Sequence, residues 1–210
     1  MQLERQSDAL LVVDVQPDFM PGGPLAVAGG DEIVAPIGQL MQRFETVVAT
    51  QDWHTPGHIS FASTHGRAPL STLPLYGQSQ VLWPDHCVQG TAGADLHAEL
   101  PTTPISLILR KGSHPEVDSY SALRENYGPD GERATTGLAA WLSARGIRRL
   151  FLCGLARDYC VLWSAQDAAD AGFEVVLLDD LTRAVDPSAR QQTDAAYAKA
   201  GVAVISSEAL

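Results

Sequence analysis

Along most of this chain, short apolar runs rich in valine, leucine and isoleucine alternate with stretches whose apolar residues recur at helical spacing. That alternation restricts the fold to strands joined by crossover helices, and so to a parallel sheet covered on both faces. The run Ala9 to Val13 ends at Asp14 and contains no polar residue, the pattern of a strand buried on both sides. Asp31 to Phe44 predicts a helix, with Ile33, Ile37, Leu40, Met41 and Phe44 on one face and Asp31 and Glu32 in the first turn. Further strands are predicted at Thr46 to Thr50, Ile105 to Leu109 and Leu150 to Cys153. Helices are predicted at Thr135 to Arg145 and at Asp158 to Ala171, the latter ending at Gly172. Glu174 to Leu178, Ser188 to Ala200 and Val202 to Ile205 continue as strand, helix, strand. The expected architecture is α/β: a single domain over residues 1–210, three layers deep (α/β/α), around a mainly parallel six-stranded sheet.

One stretch breaks the rhythm. Residues 55–104 hold six prolines and five glycines with little periodicity, far beyond an ordinary connection of about 12 to 15 residues. Because they also carry His58, His65, Trp83 and His86, they are expected to form an ordered insertion over an active site. With 25 acidic against 14 basic residues and a net charge of −11, the chain is poorly suited to a phosphate backbone, so nucleic acid is not an expected partner. Cys87, Cys153 and Cys160 form no C-x-x-C pair, and an odd count fits a reducing compartment. The apolar run is cut after five residues by Asp14, so neither a leader nor a membrane span is expected at the start, and the expected location is the cytoplasm.

In an open parallel sheet, ligands sit beyond the carboxyl ends of the strands. The residues just past each predicted strand are Asp14, Asp52 with His54, Lys111, and the segment Gly154 to Cys160. Each alone has a plain structural reading, an aspartate as a turn former or a cysteine as a small buried hydrophobe. Their convergence from four strand ends points to chemistry. Cys160 is the expected nucleophile. With Asp158 as N-cap it falls in a first helical turn, where the dipole, helped by Lys111, is expected to favour the thiolate. Cys153, inside an apolar strand, and Cys87 read as structural. Asp52, His54 and His86 form the expected metal set, one carboxylate and two imidazoles that suit a divalent ion, zinc in the first place, with iron and manganese also fitting. His58 and Ser60 lie close enough in sequence to support or extend that set.

The segments DVQPDF (14–19), DWHTPGHISFAS (52–63), WPDHCVQGT (83–91), KG (111–112), VDSYSAL (117–123) and GLARDYCV (154–161) together resemble the nicotinamidases of the isochorismatase-like hydrolase superfamily. The resemblance runs in order from residue 9 to about 180. It implies that fold, with Asp14, Lys111 and Cys160 as a catalytic triad and Asp52, His54 and His86 as ligands of one divalent metal ion. It also implies a cis peptide before Ala156, with the N–H groups of Ala156 and Cys160 as an oxyanion hole, and Phe19, Trp83 and Tyr120 as the walls of a flat pocket. The implied activity is hydrolysis of nicotinamide to nicotinate and ammonia through a thioester, with pyrazinamide also accepted. Arg157 departs from the small polar residue expected there, and its side chain is expected to point outward. Cleavage of carbamoyl or ureido substrates stays open, as does a non-catalytic, redox-sensing binding protein for aromatic amides. A homo-oligomer is compatible with everything in the sequence.

Overall fold

The computed structural model describes residues 1–210. In chain order its strands are β1 (Asp8–Val13), β2 (Thr46–Asp52), β3 (Thr72–Leu75), β4 (Gln78–Val81), β5 (Leu107–Lys111), β6 (Arg124–Tyr127), β7 (Arg133–Thr135), β8 (Arg149–Leu155), β9 (Glu174–Arg183) and β10 (Ala203–Ile205). The helices are α1 (Val34–Met41), α2 (Leu138–Ala144), α3 (Cys160–Asp170) and α4 (Arg190–Lys199). Six strands form one sheet in the order β10-β9-β8-β1-β2-β5, parallel at every pairing. From β1 the chain moves outward through β2 and β5, then returns to the other side of β1 for β8, β9 and β10. The order therefore reverses between β1 and β8, and the loops leaving these two strands part to open a crevice.

Side chains alternate across the central strand. Leu10 and Val12 of β1 enter a core with Ile33, Val34, Ile37 and Met41 of the α1 region, while Ala9, Leu11 and Val13 enter a second core with Leu138 and Leu142 of α2 and Val161 and Ala165 of α3. Burial of that apolar surface on both faces holds the three layers together, at about 25 cal/mol per Å² removed from water. At the crevice β8 presses on β1 at Gly154, whose φ is 106° and where a Cβ would lie 2.1 Å from the Val13 carbonyl oxygen. Only glycine allows that approach.

Several predicted boundaries move. The third sheet strand runs over Leu107–Lys111, two residues later than expected, because Arg110 and Lys111 continue the ladder opposite Gln51 and Asp52 at an edge that tolerates polar side chains. Helix α2 starts at Leu138, not Thr135: Thr135 pairs with Arg124 in a hairpin, and Gly137 at φ 85° keeps the backbone non-helical up to that point. The helix expected from Asp31 begins as a 3₁₀ turn and becomes α-helical at Val34. The strand expected to stop at Leu178 continues to Arg183, re-pairing Thr182 with Gly154 after a register shift. Residues 55–104 contain the hairpin β3–β4 and an internal bridge from Phe61 to Trp83, and they return to the body through a bridge from Val88 to His54. No helix is long and apolar enough to cross a membrane.

Candidate active site

The residues beyond the strand ends do meet. Asp14 leaves β1 in a left-handed conformation, φ 49°, unusual for an aspartate and maintained by its surroundings. Thr50 of β2 fixes it: its Oγ1 accepts from the Asp14 N–H at 3.0 Å and donates to Asp14 Oδ1 at 2.5 Å. Lys111, at the end of β5 and 1% exposed, reaches across the crevice. Its Nζ donates to Asp52 Oδ1 (2.9 Å), the Ser119 carbonyl (3.0 Å) and Cys160 Sγ (3.4 Å). Asp14 Oδ2 lies closer to Nζ than any of these, at 2.8 Å, and forms an ion pair with it. One cation thus joins a sulfur and two carboxylates.

Burial pushes Asp14 above the ordinary carboxylate range, against the pull of Lys111 and with a further push from Asp52. Burial would raise Asp52 as well, yet the charges of His54 and Lys111 hold it well below its usual value. The Cys160 thiol is pushed well up by burial and by both carboxylates, against Lys111. This corrects the expectation that the helix end and Lys111 lower the thiol: desolvation outweighs both, and a carboxylate oxygen able to take the proton stands beside the sulfur. A second correction concerns Asp158. Cys160 does open α3, but Asp158 does not cap it; its carboxylate accepts from the N–H groups of Val185 (2.9 Å) and Asp186 (2.8 Å). The Leu155–Ala156 peptide is cis, and the N–H groups of Ala156 and Cys160 have no protein acceptor.

Asp52, His54 and His86 converge beside Lys111. His54 Nε2 lies 3.1 Å and His86 Nε2 3.3 Å from Asp52 Oδ2. Each imidazole's Nδ1 faces a carbonyl, Gly112 at 3.0 Å for His54 and Pro84 at 2.8 Å for His86, so each carries its proton there. Both Nε2 atoms thus face Asp52 Oδ2, and against burial the charge of Asp52 raises the pKa of the His54 imidazole, so this point favours a cation, either a proton on His54 or a divalent metal in its place. Gly112, at φ 66°, makes room for this: a Cβ there would lie 2.6 Å from His54 Cε1. His54, His58 and Asp118 form another cluster of donors, but both nitrogens of His58 are engaged, Nε2–H donating to the His114 carbonyl (2.9 Å) and Nδ1 accepting from Ser60 Oγ (2.8 Å).

His58 has a consequence for stability. Burial and the nearby charge of His54 lower its pKa from 6.5 to about 4. Above pH 6.5 neither folded nor unfolded chain protonates it, whereas below that value the unfolded chain takes up a proton that the folded one refuses. Stability is therefore expected to fall as pH drops, by roughly 3 kcal/mol between pH 6.5 and 4 from this group. Urea midpoints measured at pH 7, 6 and 5 should converge between wild type and His58→Gln as the pH drops; parallel slopes would exclude the effect.

An isochorismatase domain model matches residues 8–209. The chain belongs to the isochorismatase family. It is 50% identical over 179 residues to a nicotinamidase of Acinetobacter baylyi, a match that covers 85% of this chain and 82% of that one. Among solved structures, an Acinetobacter baumanii nicotinamidase/pyrazinamidase superposes with a TM-score of 0.92 at 44% identity, covering 98% of this chain and 99% of the other. PnC1 from L. infantum, solved in complex with nicotinate, superposes with a TM-score of 0.87 at 43% identity, covering 100% of this chain and 98% of the other.

In this isochorismatase-family chain the site opens through a narrow cleft lined by Phe19, Trp83, Tyr120, His86, Ala156 and Cys160. The three aromatic residues predicted as walls are all there. Tyr120 Oη accepts from Trp83 Nε1 at 3.1 Å, and Tyr159 packs edge-on against Trp83 at 4.8 Å. Sequence reasoning missed Tyr159, Asp118, Leu25 and Val185, which also line the cleft. Tyr159 and Asp118 lie within GLARDYCV and VDSYSAL, one position from Cys160 and two from Tyr120. Gln16 was also missed: its amide bonds both the N–H and the C=O of Asp52, at 2.7 and 2.9 Å, and so extends the β ladder one step into the site. Arg157 requires correction. Expected to point outward, it is 3% exposed and its guanidinium is fully engaged beneath the loop, because Asp179, Thr193 and Asp194 supply acceptors there.

Proposed function

We propose that the chain is a metal-dependent cysteine amidohydrolase that converts nicotinamide to nicotinate and ammonia. The observation that carries this reading is the single buried ammonium of Lys111, within 3.4 Å of the Cys160 sulfur, one oxygen of Asp14 and one of Asp52. Asp14 Oδ2 takes the thiol proton as sulfur attacks the carboxamide carbon, and the carbonyl π pair moves onto oxygen. The N–H groups of Ala156 and Cys160 hold that oxygen; losing one such donor typically costs about 100- to 1000-fold in rate. Asp14 then returns the proton to the amide nitrogen, the C–N bond breaks and ammonia leaves a thioester. Water attacks the thioester carbon as Asp14 accepts one of its protons, the C–S bond breaks, Asp14 returns that proton to sulfur, and the acid departs, its remaining proton passing to solvent to leave nicotinate. Throughout, Lys111 keeps the anionic states of sulfur and carboxylate compensated in a dry site.

Asp52, His54 and His86 would hold the metal, with a relative from Pyrococcus horikoshii, 33% identical, solved in complex with zinc in support of that ion. When bound, such an ion offers a Lewis-acidic anchor for a pyridine nitrogen, which orients the ring. Phe19, Trp83 and Tyr120 flank the ring, and pyrazinamide, which keeps both the carboxamide and a ring nitrogen in place, fits the same contacts.

The test is ammonia release from nicotinamide, pyrazinamide and several N-carbamoyl amino acids, with metal content measured on the same sample. Turnover of the first two and not of the ureido compounds is expected; the reverse pattern would replace the nicotinamide reading. Chelation is expected to remove activity and weaken nicotinamide binding, with recovery on adding zinc. Full activity after verified metal loss would take Asp52, His54 and His86 out of the reaction.

A further inference from the structure

Residue 157 stands between Ala156, which lines the cleft and whose N–H has no protein acceptor, and Asp158, whose carboxylate ties the loop to Val185 and Asp186. Every polar atom of Arg157 is engaged on the side away from Cys160. Its N–H donates to the Arg183 carbonyl at 2.8 Å, and its own carbonyl accepts from Tyr197 Oη at 2.6 Å. Its Nε donates to Asp179 Oδ1 (2.8 Å), Nη1 to Thr193 Oγ1 (2.7 Å) and Nη2 to Asp194 Oδ1 (2.5 Å). The guanidinium also lies 5.0 Å from the centre of the Tyr197 ring.

Helix α4 buries two side chains, Thr193 and Tyr197, and both bond residue 157. An outer helix with the sequence RQQTDAAYAK has little apolar surface to dock with, so this contact fixes its seat. The same contact grips the peptide next to Ala156. A small residue at 157 could reach none of Asp179, Thr193 and Asp194 at once.

We propose that Arg157 and Tyr197 are positioning residues, which lock the Ala156 N–H in the direction that receives the oxyanion. The proposal rests on the amidohydrolase reading above, and it is tested by a ligand whose binding needs no turnover. Pyridine-3-carbaldehyde presents an aldehyde where nicotinamide has its carboxamide, and a yeast relative, 31% identical, was solved bound to nicotinaldehyde. Addition of Cys160 forms an S–C bond and opens the C=O π bond, and the thiol proton passes through Asp14 to the new oxygen, which sits in the hole. Nicotinate fills the pocket without forming that adduct.

Calorimetry on metal-loaded wild type, Tyr197→Phe, Arg157→Lys and Arg157→Ala compares the two ligands. Tyr197→Phe, which deletes one hydroxyl, should weaken the aldehyde about tenfold, and Arg157→Ala about 100-fold, the scale of a misplaced oxyanion donor. Arg157→Lys keeps the charge but not the fork and should fall between them. Nicotinate affinity should stay within about twofold in all three, and kcat for nicotinamide should fall in step with aldehyde affinity at nearly constant KM. Parallel losses for aldehyde and nicotinate, or no loss for either, would overturn the positioning role. If Arg157→Ala does not fold, Tyr197→Phe and Arg157→Lys still decide it. A wild type that binds the aldehyde but releases no ammonia would refute the amidohydrolase reading and leave the positioning role to be judged on the titrations.

Discussion

Cys160→Ala is expected to abolish ammonia release, lowering kcat on the order of 10⁴- to 10⁶-fold, while nicotinamide and nicotinate still bind. The size follows from the absence of a replacement nucleophile. Cys153 lies inside β8, fully buried, its sulfur 3.8 Å from the Leu11 carbonyl, and burial drives its thiol far up. Cys87 is also buried, with its sulfur 3.9 Å from the Gly93 carbonyl and its thiol raised by burial and by Asp52, Asp14 and Asp18. Neither sulfur is bonded to Lys111, which reaches Cys160 alone. Binding is expected to survive because the residues proposed to hold the ring, Phe19, Trp83 and Tyr120, and the proposed metal set line the cleft independently of the sulfur. A melting temperature near that of wild type would confirm that chemistry, not folding, was lost. Ammonia release at even a hundredth of the wild-type rate from fully folded Cys160→Ala protein would exclude a thioester route through Cys160.

The parallel sheet could be read from the chain because its buried strands contain almost nothing but apolar residues: ALLVV in β1 and VVLL in β9 have no other stable environment. The two hairpins could not. β3–β4 and β6–β7 are strands of three or four residues with mixed polarity, and pairing partners outside the main sheet hold them, which no local period reports. The site was legible for a related reason: chemistry gathers at strand ends, and the strands were visible. What was misread depends on distant choices. Asp158 has the residue type and position of a cap, but two loop N–H groups 27 and 28 residues away compete for its oxygens and win. Arg157 reads as a surface charge until β9 and α4, 22 to 40 residues later, bring Asp179, Thr193, Asp194 and Tyr197 around it. The direction in which the Cys160 thiol is shifted was misjudged because a helix end and a lysine are visible in sequence whereas burial and the inward reach of two carboxylates are not.

Lys111→Met should cost both stability and activity, and the pH dependence of the loss identifies its cause. Methionine matches the lysine stem in length but removes a cation that touches Asp14, Asp52 and Cys160. Removing one partner from a buried ion pair costs about 3 to 5 kcal/mol, since the charge left behind has lost its water and gained nothing in return. Asp14 already titrates above the ordinary carboxylate range because burial outweighs Lys111, and without Lys111 it moves higher still. A carboxyl whose folded pKa lies above its unfolded value stabilises the protein below the unfolded pKa, and that contribution disappears as pH rises through the folded one. The variant should therefore be closest to wild type near pH 5 and fall further behind toward pH 8. Its amidase activity should drop at least about 1000-fold, because an Asp14 that holds its proton cannot take one from sulfur. Urea midpoints for both proteins at pH 5 and pH 8 measure the first effect and ammonia release at pH 8 the second. A stability gap of the same size at both pH values would show that the lysine acts by packing its stem, and that the charge on Asp14 is balanced by some other group.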